Sequence, residues 1–335
     1  MNIFKSLNNL YKRIFLLRKS VCYVVQGDYW QKYFIENPVK TKKELENLKK
    51  NLDKESSDLI DLIFDRFIYL VPSTKYIDHC WYFADGIYTK EEKTEQNKNL
   101  NIKKLRKKYK MPDHQAKNAI PTYPKQTFLY DYGLKFLSDS VLKNLKNKDF
   151  LDCGAYIGDT ALLFCNYTNN KIYAFEPNQE NHDVLKKTIK INDYENKIFP
   201  IKAGLGEKEE ELELYGEVSA ASVLREHVPL LFDKINSEKI KITTIDKFVQ
   251  DNNLNPGLIK MDIEGYELEA VKGALETIKK FKPLIIISVY HHPKDFFQIK
   301  PLIESLNLDY KFMFKKLEPN HFVNETVLIG YVDLI

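Results

Sequence analysis

Residues 150–160 read Phe-Leu-Asp-Cys-Gly-Ala-Tyr-Ile-Gly-Asp-Thr, and this stretch constrains the fold more than any other. Phe150 and Leu151 end a short apolar run at Asp152, Gly154 and Gly158 follow, and a helical pattern opens at Asp159 and Thr160. The order is that of a buried strand, a tight turn and a helix start. Glycines in such a turn accept positive φ and let a ligand close on the backbone. The helix start adds unpaired N–H groups and a partial positive charge. A strand feeding a glycine turn is the usual nucleotide-binding corner of a doubly wound sheet. The competing reading is a turn that is structural only.

The spacing narrows the choice of nucleotide. A dinucleotide fingerprint needs G-x-G-x-x-G, and Tyr156 stands where its second glycine belongs. No lysine follows Gly158, so the phosphate loop of nucleotide triphosphatases is excluded as well. What remains is D-x-G-x-x-x-G. A second apolar run, Lys171 to Phe175, ends at Glu176-Pro177-Asn178. An acid at the end of the next strand is placed to accept hydrogen bonds from both hydroxyls of a ribose. The pair of motifs points to an adenosine cofactor without a pyrophosphate, S-adenosylmethionine. Candidate contacts are Asp152, Gly154, Ala155, Tyr156, Gly158, Asp159 and Thr160 in the loop, with Glu176, Pro177 and Asn178 at the next strand end. Ala203 and Gly204, which close the third strand, complete the set.

At roughly 150 residues per domain, 335 residues allow two. A helical region over 1–125 and a Rossmann-like domain over 126–335 are expected. The net charge is only +4, with acids and bases interleaved, which argues against a nucleic-acid binder. Cys22, Cys80, Cys153 and Cys165 form no C-x-x-C and fit reduced thiols in the cytoplasm. No apolar run approaches the roughly 18 residues of a membrane span. Basic residues at 12, 13, 18 and 19 interrupt any signal-peptide core. Residues 1–20 are cationic and amphipathic. They read either as a helix packed on the domain or as a surface helix touching anionic membrane. Residues 38–70 read as helical, and His79 to Phe83 as an aromatic packing cluster or a stacking platform. The basic run Lys103 to Lys110 reads as a solvated helix or linker, or as a strip for an anionic ligand. A helix is expected over 126–148. Beyond it, alternating strands and helices predict a mostly parallel sheet with helices on both faces, closed by an antiparallel hairpin of 310–315 with 326–332. Residues 211–216 and 240–245 read as an added strand pair around the small-residue loop Ser219–Ser222.

A second polar stretch, Lys260-Met-Asp262-Ile-Glu264-Gly, falls where the fourth parallel strand should end, and Tyr290-His291-His292-Pro falls at the end of the fifth. A single helix over 264–280 should separate the two. Ligands of open α/β sheets bind outside the carboxyl ends of the strands. Asp152, Glu176, Asp262 with Glu264, and His291 should therefore meet in one crevice. An alcohol is a poor nucleophile, and a placed carboxylate or imidazole can take its proton as the new bond forms. Asp262, Glu264 and His291 are the candidates, against the plainer readings of a helix cap for either acid and an ordinary strand-end polar group for His291. His292 should face outward, since neighbours on extended chain alternate. The two carboxylates allow a divalent cation, but their spacing is no specific metal signature, and no metal is expected.

The runs D-C-G-A-Y-I-G-D-T, F-E-P-N, L-I-K-M-D-I-E-G-Y-E, I-S-V-Y-H-H-P-K-D-F-F and N-E-T-V-L together resemble the FkbM family of S-adenosylmethionine-dependent methyltransferases. The likeness runs from about residue 130 to the C-terminus. L-D-K-E-S-S-D-L at 52–59 and Y-G-L-K-F-L at 132–137 are similar to longer bacterial members with a helical N-terminal part. The resemblance implies a Rossmann-like class I fold and O-methylation of a hydroxyl, often on a glycan, glycolipid or natural product. It carries over Asp152, Gly154 and Gly158 as cofactor-loop residues and Glu176 as ribose ligand, and places Lys260, Asp262, Glu264 and His291 at the reaction centre. Tyr156 departs from the glycine that many methyltransferase classes carry there. The competing functions are methylation of protein or RNA, and a binding protein that keeps the fold without the chemistry.

Overall fold

The computed structural model of the chain describes residues 38–70, 101–110, 125–216, 222–224, 237–318 and 324–333, with Trp30, Tyr33, Glu36, Thr94 and Pro112 besides. The segment 1–20 and the aromatic run 79–83 lie outside the described residues, as do Ser219 to Ala221.

In chain order the first strands are β1 (Asp149–Cys153), β2 (Ile172–Phe175), β3 (Ile198–Ile201), β4 (Gly204–Leu205) and β5 (Glu210–Tyr215). They are followed by β6 (Ser237–Thr243), β7 (Pro256–Met261), β8 (Leu284–Ser288), β9 (Lys311–Lys316) and β10 (Thr326–Tyr331). Seven form one sheet in the order β3-β2-β1-β7-β8-β10-β9. Strands β1, β2, β3, β7 and β8 run parallel, and β10 pairs antiparallel with both β8 and β9. This is the mixed α/β sheet expected from the alternation of patterns. β4, β6 and β5 make a separate small sheet.

Strands buried on both sides explain the continuous apolar runs. Leu151, Ile259, Met261, Ile285 and Ile287 feed one hydrophobic cluster, whereas Phe150, Leu258, Leu284, Ile286 and Ile329 feed the other. The alternation is the period of two that the pleat imposes. Asp152 and Lys260 are register partners on adjacent strands. They stand at the upper end of an otherwise apolar face. Strand order reverses at β1, so the crevice of the fold opens above β1 and β7.

Several expectations are corrected. Residues 126–148 are not one helix. They form α4 (Lys125–Leu129), a 3-10 turn (Leu134–Phe136) and α5 (Asp139–Lys143). Asp131, Tyr132 and Gly133 between them take φ of 49°, 49° and 91°, which no helix accommodates. Ser138 then caps α5 by accepting from the Val141 N–H. The helix expected over 264–280 is two, α9 (Glu267–Lys272) and α10 (Leu275–Phe281), broken at Gly273. There a Cβ would lie 2.0 Å from the Gly206 carbonyl oxygen, so the break marks a close backbone approach. Residues 38–70 are helical as expected, in two helices, α1 (Pro38–Leu48) and α2 (Lys54–Leu70). The basic run falls on the short helix α3 (Ile102–Lys108).

The described part of the N-terminal region is built into the sheet's flank. Trp30, Leu48, Ile60 and Ile63 belong to the same apolar cluster as Phe296, Phe297 and Phe314. Trp30 meets Phe296 edge-on at 5.5 Å, and Tyr33 stacks on Phe297 at 5.9 Å. Helix α2 packs on the edge strand β9, where the Ser56 hydroxyl accepts the Phe314 N–H at 3.0 Å. That contact satisfies an edge donor that would otherwise be buried unpaired, at about 1–3 kcal/mol. At the opposite edge, Pro200 in β3 offers no donor to an incoming strand.

Candidate active site

The loop after β1 is held from below. Asp152 is fully buried, and its Oδ2 accepts from the Thr160 hydroxyl at 2.6 Å. Its Oδ1 lies 3.1 Å from the ammonium of Lys260, which also donates to the Gly154 carbonyl at 2.6 Å. Burial pulls the Lys260 ammonium toward neutrality, but the Asp152 and Asp262 carboxylates hold it above its usual range. Lys260 therefore braces the loop from a buried position against the ring of Tyr132. Asp159 is buried and accepts from the Thr127 hydroxyl. Burial raises its carboxyl above the ordinary range.

Gly154 and Ala155 both donate to the Phe175 carbonyl, at 3.0 and 2.8 Å, which ties the loop to the end of β2. Gly154 has φ +80°, and a Cβ there would fall 1.8 Å from the Asp262 carbonyl oxygen. Only glycine allows the loops after β1 and β7 to approach this closely. Tyr156 takes φ +48°, a left-handed conformation unusual for a bulky residue and natural for the glycine it replaces. Gly158, at φ +92°, caps the helix Asp159–Phe164.

Tyr156 donates its backbone N–H to Glu176 Oε2 at 3.0 Å. Oε1 accepts from the Asn178 N–H at 3.0 Å and from the Asn181 amide. Glu176 is buried at the end of β2, and burial pushes its carboxyl up to about 7, against these donors. Oε2, with one donor, keeps lone-pair capacity for a ribose hydroxyl, whereas Oε1 already accepts two bonds, the one from Asn181 long at 3.4 Å. Asn178 caps the helix Gln179–Ile191 by accepting from the Asn181 N–H at 3.0 Å. Pro177 and Ala203 are half-buried, and Gly204 opens β4.

Beyond β7 and β8 the chain assembles a polar trio. Asp262 Oδ1 lies 3.7 Å, and Glu264 Oε2 3.5 Å, from His291 Nε2. Among the described residues neither His291 Nε2 nor Asp262 Oδ1 has a hydrogen-bond partner, and both atoms are buried. On its other side the imidazole meets Glu267, with Nδ1 3.0 Å from Oε1. Glu267 is fully buried and accepts the N–H groups of Ile263 and Gly265, both at 2.9 Å. Burial pulls the imidazole down, but Glu267, Glu264 and Asp262 together carry it well above its ordinary value. Burial drives the Glu264 carboxyl up to about 7, opposed by His291 and helped by Asp262.

Tyr132 donates its hydroxyl to Asp262 Oδ2 at 2.8 Å, an orientation that the left-handed turn before β1 makes available. Ser222 donates to the Glu264 carbonyl at 2.7 Å, so the far end of the small-residue loop reaches the site. Glu325 stands at φ +61° beside Tyr290, and burial pushes its carboxyl up to about 8 with Asp262 adding to the rise. Neither Asp262 nor Glu264 caps α9, whose N-cap Tyr266 makes no side-chain cap bond. His292, expected to face outward, is buried. It caps the helix Pro293–Glu304, with Nδ1 accepting the Lys294 N–H at 2.9 Å. A helix start here overrides strand alternation.

The model of the methyltransferase FkbM domain matches residues 152–321, just over half of the chain. The chain belongs to this family. The hexuronic acid methyltransferase AglP of Haloferax volcanii is 28% identical over 161 residues, which are 46% of this chain and 62% of the relative. The crystal structure of an FkbM methyltransferase from Methylobacillus flagellatus covers 90% of this chain and 61% of its own, at 21% identity and a TM-score of 0.56. The chain thus spans under two thirds of the length of either. The family is one of S-adenosylmethionine-dependent methyltransferases. The residues present fit that cofactor: Glu176 is a buried carboxylate tied through the Tyr156 N–H to the glycine loop, with bonding capacity left at Oε2.

The sequence reading missed Tyr132, Glu267, Tyr290 and Glu325 as site residues. All four lie inside the FkbM-like runs. A reading that asked which acids in those runs must be buried would have reached Glu267.

Proposed function

We propose that this FkbM-family protein transfers a methyl group from S-adenosylmethionine to a hydroxyl of a glycan, glycolipid or related natural product. The observation that carries the proposal is the pair Asp262 Oδ1 and His291 Nε2. These are buried, unpartnered and 3.7 Å apart, directly beside the cofactor loop. Two polar atoms left without partners inside a protein await a ligand. The relative named for hexuronic acid supports a sugar acceptor.

The bound cofactor supplies an electrophilic methyl group on a sulfonium, displaced in line by an oxygen nucleophile. Glu176 holds the ribose, and the loop at Gly154 sets the distance between the β1 and β7 ends. Asp262 Oδ1 takes the hydroxyl proton as the oxygen's lone pair forms the new C–O bond. Tyr132 fixes the Asp262 rotamer through Oδ2, leaving Oδ1 to work. Glu267 orients the His291 ring, and the positive imidazole stabilises charge that develops on the acceptor oxygen. Lys260 acts on the loop, not on the substrate, and is a positioning residue.

The test is a transfer assay with labelled cofactor and a panel of sugars that includes hexuronic acids. Asp262→Asn should lower kcat by about 10²- to 10⁴-fold, the usual weight of a placed base. Its cofactor affinity, read by calorimetry, should hold within about threefold. Full transfer by both Asp262→Asn and His291→Ala would overturn the role assignment.

A further inference from the structure

We infer that Asp262, Glu264 and His291 form a binding site for a divalent cation, of the Mn²⁺ type, at the mouth of the crevice. The inference rests on the proposed reading of this trio as the place of the acceptor hydroxyl, and adds a resident ion to it.

Three ligand atoms from three side chains lie within 4.8 Å of one another. Spacing alone would not make a site. The second observation is His291 Nε2. Its side chain is 1% exposed, the atom has no hydrogen-bond partner, and it points at both carboxylates. Its separations of 3.5 and 3.7 Å are near the donor spacing of an ion bound at about 2.1 Å, which is about 3.0 Å in an octahedron and about 3.4 Å in a tetrahedron. Small carboxylate rotations close the difference.

The surroundings are those of a ligating histidine. Metal-bound imidazoles nearly always give their other N–H to a carboxylate, which fixes the tautomer and ring plane. Glu267 does this at Nδ1, and is itself locked by two backbone N–H groups. Tyr132 does the same for Asp262, engaging Oδ2 and leaving Oδ1 to face the imidazole. The Asp262 and Glu264 side chains are 20% and 33% exposed, so the carboxylate edge of the trio meets solvent while Asp262 Oδ1 and His291 Nε2 themselves are buried behind it. A catalytic metal centre keeps such open positions for its substrate. One nitrogen with carboxylate oxygens suits Mn²⁺ and its neighbours better than Ca²⁺, which takes oxygen ligands alone. With an ion in place, Nε2, Asp262 Oδ1 and a Glu264 oxygen would hold it, and an acceptor hydroxyl bound to it would be acidified enough to lose its proton to solvent rather than to Asp262. The ion would supply the charge stabilisation of the developing alkoxide that the imidazolium gives without it.

The experiment uses the full chain, stripped of metal with a chelator and dialysed. Mn²⁺ is titrated in, with free Mn²⁺ read by electron paramagnetic resonance and heat by calorimetry. The expected result is one ion per chain. His291→Ala should weaken it at least tenfold, as should Glu264→Gln, the more exposed ligand and the variant less able to disturb folding. Glu267→Gln should weaken it about 10- to 100-fold through the histidine. Circular dichroism and cofactor binding confirm that each variant is folded. No saturable binding of Mn²⁺, Zn²⁺ or Mg²⁺ by the wild type, or unchanged binding in folded variants, overturns the inference. Methyl transfer by the stripped enzyme without saturable ion binding would sink the ion alone and leave the proposed function standing. Stoichiometric binding without transfer to any acceptor would do the reverse.

Discussion

Lys260→Met tests whether the polar run that starts near the end of β7 begins with a structural or a chemical residue. Asp152 is 0% and Lys260 2% exposed, and their charges lie 3.1 Å apart across β1 and β7. Removing the ammonium leaves a fully buried carboxylate whose remaining bond is to Thr160. It also frees the Gly154 carbonyl from its 2.6 Å donor. Breaking a buried pair on one side typically costs about 3–5 kcal/mol, a large share of the roughly 5–15 kcal/mol that holds a domain folded. The Thr160 bond places the expected loss near the lower end, about 3 kcal/mol. Urea unfolding with an unchanged slope measures it. The double variant Asp152→Asn/Lys260→Met removes both charges, and the asparagine can still accept from Thr160. It should lose clearly less than the sum of the two single variants, since the uncompensated charge is gone. A loss below about 1 kcal/mol in Lys260→Met would refute the argument, and would return Lys260 to the list of groups free for chemistry.

Gly154→Ala places a Cβ 1.8 Å from the Asp262 carbonyl at φ +80°. Left-handed strain and forced backbone movement together predict a loss of about 2–5 kcal/mol in urea unfolding, with cofactor binding abolished in calorimetry. A midpoint equal to wild type would contradict the close approach of the two loops. The Glu176 carboxyl, pushed up to about 7 by burial, predicts pH-dependent cofactor affinity. The ionised form accepts most strongly from the ribose at Oε2, so protonation below that value opposes binding. Affinity should fall about tenfold from pH 8 to pH 6, and Glu176→Gln should flatten the dependence. An equal slope in the variant would assign the proton to another group.

The strands were legible because burial on both faces leaves a plain mark. Runs such as Leu284 to Ile287 are apolar without interruption, and Glu176 and Asp262 directly follow β2 and β7 where the crevice begins. The turn at 131–133 was not legible, since neither Asp131 nor Tyr132 announces a left-handed backbone, and the apolar spacing around them is helical. That turn delivers Tyr132 to Asp262 across 130 residues of sequence. Local periodicity carries no record of such a contact. The Glu267–His291 contact has the same character, because the glutamate reads as an ordinary first-turn acid of α9.

The acids at the strand ends divide by exposure, and exposure follows from which element covers each. Asp152 and Asp159 lie under the loop after β1, where Lys260, Thr160 and Thr127 occupy them. Glu267 lies under the loop after β7, engaged by two backbone donors and the imidazole. Asp262 and Glu264 project from the same turn but past its cover, and keep partial exposure. A carboxylate that the fold has fully engaged can orient a neighbour but cannot receive a substrate. Among the described residues Asp262 Oδ1 and His291 Nε2 keep unspent bonding capacity, and Glu264 beside them is the most exposed of the three. On the proposed reading the chemistry belongs to Asp262, Glu264 and His291, and the inner acids hold them in place.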